Sequence, residues 1–183
     1  MKSIVSLTVF LFLFLTANGQ KFMTRNGFIG FNSHTAMEDI KADNNQVASV
    51  IDITTGEIVF QALIKSFRFE KALMEEHFNE NYMESEKFPK STFKGKIQNL
   101  AAVDFSKSGK YDVVVEGDLT IHGVTNKVTV NGNIEVITGG LTANSKFNIV
   151  PEDYKIEIPG VVRDNIARNL EITITAKYAP VAN

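Results

Sequence analysis

The side chains able to do chemistry in this chain are few and scattered. The three histidines, His34, His77 and His122, stand in different predicted elements. None has a second His one helical turn away, and there is no cysteine to assist, so the spacing of a metal site is missing. His77 lies beside Glu76 and Glu80 on a predicted helix, where a solvated imidazole is the ordinary outcome, and His34 follows a strand end. His122 sits between Ile121 and Gly123 in a tight turn. Its ring either bonds nearby backbone and fixes that turn, or lies at the mouth of a cavity and meets the polar head of a ligand. No serine stands in a G-x-S-x-G elbow, and Gly27-Phe28-Ile29-Gly30 lacks the Lys-Ser/Thr of a phosphate loop. The carboxylate pairs Glu75-Glu76, Glu84/Glu86 and Glu152-Asp153 fall in helix or loop segments and read as solvated surface. We therefore expect no catalytic residue, no metal and no cofactor.

The elements that would position these residues are mostly strands. Val124, Val128, Val130, Ile134 and Val136 occupy even positions, with Thr125, Lys127, Thr129, Asn131, Asn133 and Glu135 between them at odd ones. Such period-two patterning turns one set inward and the other to water. Counting alternating runs predicts eight strands, near 27–33, 46–54, 57–67, 92–98, 111–121, 124–136, 141–149 and 169–178. Turn signals separate them at Thr54-Thr55-Gly56, Ser108-Gly109-Lys110, His122-Gly123 and Gly139-Gly140. Short connections favour neighbours pairing in sequence order. The exception is residues 70–83, where Met74, Phe78 and Tyr82, with Leu73 alongside, form one apolar stripe of a short helix. Pro89 then returns the chain to extended geometry, and residues 151–168 read as a long irregular loop. The fold class is all-β: an eight-stranded antiparallel up-and-down barrel with one short inserted helix. Small residues on the presumed inner face (Ala62, Gly95, Gly117, Gly132, Ala143, Ala176) fit a hollow barrel, but equally strand bends in a filled one.

Bulk features narrow the setting. Lys2 followed by an apolar run from Ile4 to Leu15 and the small residues Ala17-Asn18-Gly19 predict a cleavable signal peptide over 1–19. A single domain then spans 20–183. Removing the leader and its one lysine takes the formal charge from −2 to −3, and no basic stripe suggests a nucleic-acid partner. Without cysteine there is neither a lipobox anchor nor a disulfide framework. An exported chain held together by its core alone fits a bacterial periplasm, or secretion from it.

Several stretches are distinctive. Gly117-Asp118-Leu119-Thr120-Ile121-His122-Gly123-Val124-Thr125, continuing through Lys127-Val128, resembles the signature hairpin of the YceI family. Phe88-Pro89-Lys90-Ser91-Thr92-Phe93 is similar to that family's segment after its helix, and Phe147-Asn148-Ile149 with Asp153-Tyr154 and Ile158-Pro159 to its late strand and loop. Leu73 through Tyr82 resembles the branch common in Bacteroidetes. The resemblance covers nearly all of the predicted mature chain and implies a lipocalin-like barrel, export to the periplasm and a polyisoprenoid or other amphiphilic lipid held inside. Alternation directs Phe60, Phe67, Phe93, Val113, Leu119, Phe147 and Ile172 inward as candidate lining, although plain core packing produces the same pattern. The resulting expectation is a non-catalytic lipid carrier for storage or transport, monomeric or homodimeric and compatible with transient membrane contact. Two alternatives stay open: an enzyme or accessory factor acting on such a lipid through His122 and nearby acids, and a packed barrel serving as a protein-interaction module.

Overall fold

The computed structural model describes residues 20–181; the predicted leader lies outside the described residues. The elements are β1 (Lys21–His34), β2 (Asp39–Asp52), β3 (Glu57–Leu63), β4 (Arg68–Phe69), α1 (Ala72–His77), β5 (Lys90–Ile97), β6 (Gly109–Ile121), β7 (Val124–Ile137), β8 (Gly140–Ile149) and β9 (Leu170–Pro180). Eight long strands run antiparallel in the order β1-β2-β3-β5-β6-β7-β8-β9, and β1 pairs with both β2 and β9 to close the barrel. The two-residue β4 only flanks β2.

All eight predicted strands form, but the first two start earlier than the pattern suggests, at Lys21 and Asp39. The reason is a pair of register shifts between β1 and β2, one with its extra residue in β1 between Thr24 and Gly27, the other in β2 between Asn44 and Val47. A bulge reverses which parity faces inward. Phe22 is buried before the shifts, whereas Ile29, Phe31 and Ser33 line the interior after them, so no single alternating run marks the whole strand. Buried Asn44 repairs the irregularity from the β2 side. Its Nδ2 donates to the Leu63 carbonyl at 3.0 Å and its Oδ1 accepts from the Gln46 amide at 2.9 Å. The predicted third strand stops at Leu63, where a 3-10 turn (Ile64–Ser66) leads into β4.

The predicted helix is shorter and of two kinds. After α1, residues Phe78–Tyr82 form a π turn, closed by the Met83 amide on the Phe78 carbonyl at 2.9 Å. Met74, Phe78 and Tyr82 all face the barrel interior. Leu73, assigned to the same stripe, points out to solvent instead.

The two ends of the barrel differ. At one end Phe22, Val47, Ile51, Val103, Val136, Leu141 and Tyr178 pack into a solid core. The Ser49 hydroxyl donates to the Val59 carbonyl at 2.7 Å and so accepts from the Tyr178 hydroxyl at 2.7 Å. Burial pushes the Tyr178 phenol far up, with the Ser49 hydrogen bond pulling the other way, so this donor keeps its proton. At the other end, called the mouth below, α1 and the connections 64–89 and 150–169 stand over the barrel. There β7 and β8 part: they pair only from Gly132↔Ser145 to Ile137↔Gly140, leaving the first half of β7 and the last residues of β8 without each other. The 150–169 connection packs against this seam, with Tyr154 and Ile156 buried together with Ile64 and Met83.

Candidate functional site

Inward residues toward the mouth do not meet at the barrel axis. They enclose a cavity of about 340 Å³, within the range of small-molecule sites. An eight-stranded barrel has an interior just wide enough to be filled by side chains or to hold one small ligand, so the size of each inward residue decides. Ala62, Gly132 and Ala143 line the space and contribute almost no volume.

Gly95 and Gly117 act differently from those three. They face each other across β5 and β6, and the Phe93 ring lies flat against them. A Cβ on Gly95 would come within 2.4 Å of Phe93 Cζ, and one on Gly117 within 2.7 Å. The missing side chains let the ring hug the wall instead of crossing the lumen. From sequence these glycines fitted either a hollow barrel or strand bends; in the structure they make room for a phenyl ring.

Ile58, Ile97, Val113 and Ile134 form the floor of the cavity. Phe60, Phe93, Leu119, Val130, Phe147 and Ile172 form its sides. Near the mouth four aromatic rings gather: Phe31 stands 6.0 Å from Phe67, 5.7 Å from Phe69 and 5.6 Å from Phe78 between ring centroids, and Phe69 lies 5.0 Å from Phe78. Phe78 comes from the helix, so the helix inserts an aromatic cap between the strands. Burial raises the Tyr82 phenol above its ordinary range at the same end. Polar groups are confined to the rim and the seam: Glu38, His77 and Asn165 at the mouth, and Asn133, Asn144 and Ser145 where β7 and β8 part. Ser145 donates to the Asn131 carbonyl at 2.7 Å, and Asn144 donates to Asn133 at 3.3 Å while accepting from Thr175 at 3.1 Å.

All seven candidate lining residues, Phe60, Phe67, Phe93, Val113, Leu119, Phe147 and Ile172, border this one cavity. His122 is placed elsewhere. Its turn is a tight two-residue hairpin with φ of 50° at His122 and 75° at Gly123, as a type I′ turn requires. A Cβ at Gly123 would lie 2.5 Å from the Phe88 ring. Nδ1 donates to the Tyr154 carbonyl at 3.2 Å, and Nε2 lies 2.7 Å from the Glu84 carboxylate. The ring also stands edge-on to Phe88 at 4.5 Å. The hydrogen bond from His122, then the nearby Lys87, holds the Glu84 carboxyl below the usual range. Glu84 was expected to be solvated surface; it is instead the acid that pins the hairpin. Glu84, His122 and Lys155, the non-glycine residues with positive φ among the described residues, all fall at this junction. Mutual contacts of this kind are what sustain such backbone conformations.

A sequence profile of the YceI-like domain matches residues 21–178. The chain belongs to the YceI-like family. Solved structures place this YceI-like barrel in the same fold. A polyisoprenoid binding domain from Saccharophagus degradans, implicated in plant cell wall breakdown, superposes with a TM-score of 0.77 at 14% identity over 88% of this chain and 98% of that one. Burkholderia cenocepacia BcnA superposes with a TM-score of 0.69 at 14% identity, covering 84% and 96%. The YceI protein of Campylobacter jejuni gives 0.64 at 16% identity, covering 82% and 90%. No curated protein sequence matches.

The sequence reading missed the lining contributed from outside the regular strands. Phe78 and Tyr82 come from the helix, Phe69 from β4, and Ile156, Ile158 and Ile166 from the long connection. A signal was present in the spacing of Ile156 and Ile158, which alternates within a segment that otherwise reads as irregular.

Proposed function

We propose that this protein binds one amphiphilic, isoprenoid-like lipid, with the tail in the cavity and the polar head at the mouth or seam. The observation that carries this reading is the asymmetry of the interior: one end packed solid, the other hollow, apolar and fringed by hydrogen-bonding side chains, with Glu38 the one acid among them. The Saccharophagus neighbour, described as binding polyisoprenoid, supports the same class of ligand. At about 0.8 kcal/mol per buried carbon, a five-carbon isoprene unit contributes about 4 kcal/mol. A few units therefore offset the cost of association without any ion pair.

Phe60, Phe67, Phe93, Val113, Leu119, Phe147 and Ile172 are the proposed tail contacts. His122 serves the fold: both ring nitrogens are engaged, by Tyr154 and Glu84, and the ring does not border the cavity. That engagement favours a carrier over an enzyme using His122 as acid or base. The leader-like first 19 residues support export, and storage or transport of the lipid in the periplasm is the role that fits.

Native mass spectrometry of protein purified without detergent, followed by organic extraction, tests the reading. A stoichiometric lipid with an apolar tail is expected. Protein that emerges bare and also takes up no prenol or quinone would defeat it.

A further inference from the structure

Exposed large apolar side chains are not spread evenly over this barrel. Met37 (73% exposed), Leu73 (60%) and Val161 (95%) are the three most exposed, and all stand on segments at the mouth. Met37 is in the β1–β2 turn, Leu73 in α1, and Val161 in the 3-10 turn spanning Gly160–Asn165. Each is the immediate chain neighbour of a residue that borders the cavity: Glu38, Met74 and Val162. One side chain ties the three segments together. Glu38 accepts from Lys71 Nζ at 3.3 Å through Oε1 and from Asn165 Nδ2 at 3.3 Å through Oε2. The outer tips and the inner wall of the mouth are thus two faces of the same three segments.

We propose that the mouth docks on the surface of a lipid bilayer by inserting Met37, Leu73 and Val161, and that apolar cargo passes there between bilayer and cavity. This rests on the lipid-binding reading above for the cargo, since a lipid tail is supplied by a membrane rather than by water. Charge around the tips selects the kind of surface. Glu38, Asp39, Glu76 and Asp164 are set against Lys71 and Arg163, so there is no basic excess to seek anionic headgroups. Docking is apolar, works on a zwitterionic surface and is little affected by salt. Single apolar residues on two turns and a short helix also suit shallow insertion into a fluid interface.

The test is partitioning of the full folded protein onto phosphatidylcholine vesicles. The chain has no tryptophan, so Val161→Trp places its one tryptophan at a tip, and a blue shift of that residue's emission on adding vesicles is expected. In co-sedimentation, M37S/L73S/V161S is expected to lose about 1,000-fold in partitioning, taking roughly tenfold for each partly buried tip. Ile137→Ser, which alters an apolar residue 48% exposed at the opposite end, is expected to change nothing. Delivery of a prenol from cyclodextrin keeps the two readings apart. The triple variant should fill normally by that route and fail to exchange with vesicles. Wild-type protein that does not fill from cyclodextrin defeats the carrier reading and leaves the vesicle result to judge the docking surface. Wild-type protein that ignores vesicles, or a triple variant that still binds them, overturns the docking proposal. So does light scattering that shows the wild type as a dimer and the triple variant as a monomer, since the tips then serve a second copy of the chain.

Discussion

Ala143→Leu separates a cavity that holds ligand from one that is incidental. Ala143 lies on β8 between Ile134 of β7 and Ala176 of β9 and points into the hollow part of the barrel. Leucine adds three carbons to space that the fold leaves empty. At about 0.8 kcal/mol per buried carbon, the delipidated protein gains about 2 kcal/mol if the rotamer fits without strain. For a domain of this size that is a rise in Tm of about 4–8 °C. The same three carbons take volume from a bound tail, and excluding three tail carbons costs a similar amount, or about 30-fold in affinity. The signature is therefore a pair of opposite signs: higher stability without ligand, weaker binding with it. Thermal unfolding of delipidated protein and titration with a prenol read the two quantities separately. Affinity that holds constant while stability rises would mean the tail lies elsewhere. A fall in both would mean that Ala143 faces packed side chains and that the reasoning about empty space is wrong.

Three further perturbations test the fold around the site. Asn44→Ala removes the buried side chain that pairs with the Leu63 carbonyl and the Gln46 amide, and is expected to lower unfolding stability by about 1–3 kcal/mol in urea titration. Gly117→Ala would place a methyl 2.5 Å from the Gly95 Cα and the Lys94 carbonyl, as well as against the Phe93 ring. It should cost about 1–3 kcal/mol and turn that ring toward the lumen, seen as a shifted Phe93 signal in NMR. The Glu84 carboxyl is held below its ordinary range by the His122 hydrogen bond. Its contribution to stability is present above the unfolded carboxyl pKa and is lost as pH falls through the lower folded value. Unfolding measured between roughly pH 3 and 6 should show this acid-side loss in the wild type and a smaller one in Glu84→Gln.

The barrel was legible because period-two patterning is a local property. A strand such as β7 declares its inner face through Val128, Val130 and Ile134 without reference to any other strand, and six of the seven candidate lining residues follow from such parity. Phe67, of opposite parity to Phe60, reaches the cavity only because the 3-10 turn after β3 redirects the chain. The His122-Gly123 turn was equally local, since two consecutive residues of positive φ need a glycine. Parity misled in β1 and β2, where the register shifts reverse it and hid the first residues of both strands.

What the tertiary structure decided depends on residues far apart in the chain. Glu84 meets His122 only because the connection after α1 and the 150–169 segment converge on one hairpin, and neither approach leaves a mark in local spacing. Whether Gly95 and Gly117 empty the barrel or seat a ring depended on where Phe93 came to rest. The hollow itself is a sum over eight strands: alternation states which side chains face inward, but only closure of the sheet fixes whether their volumes fill the space between them.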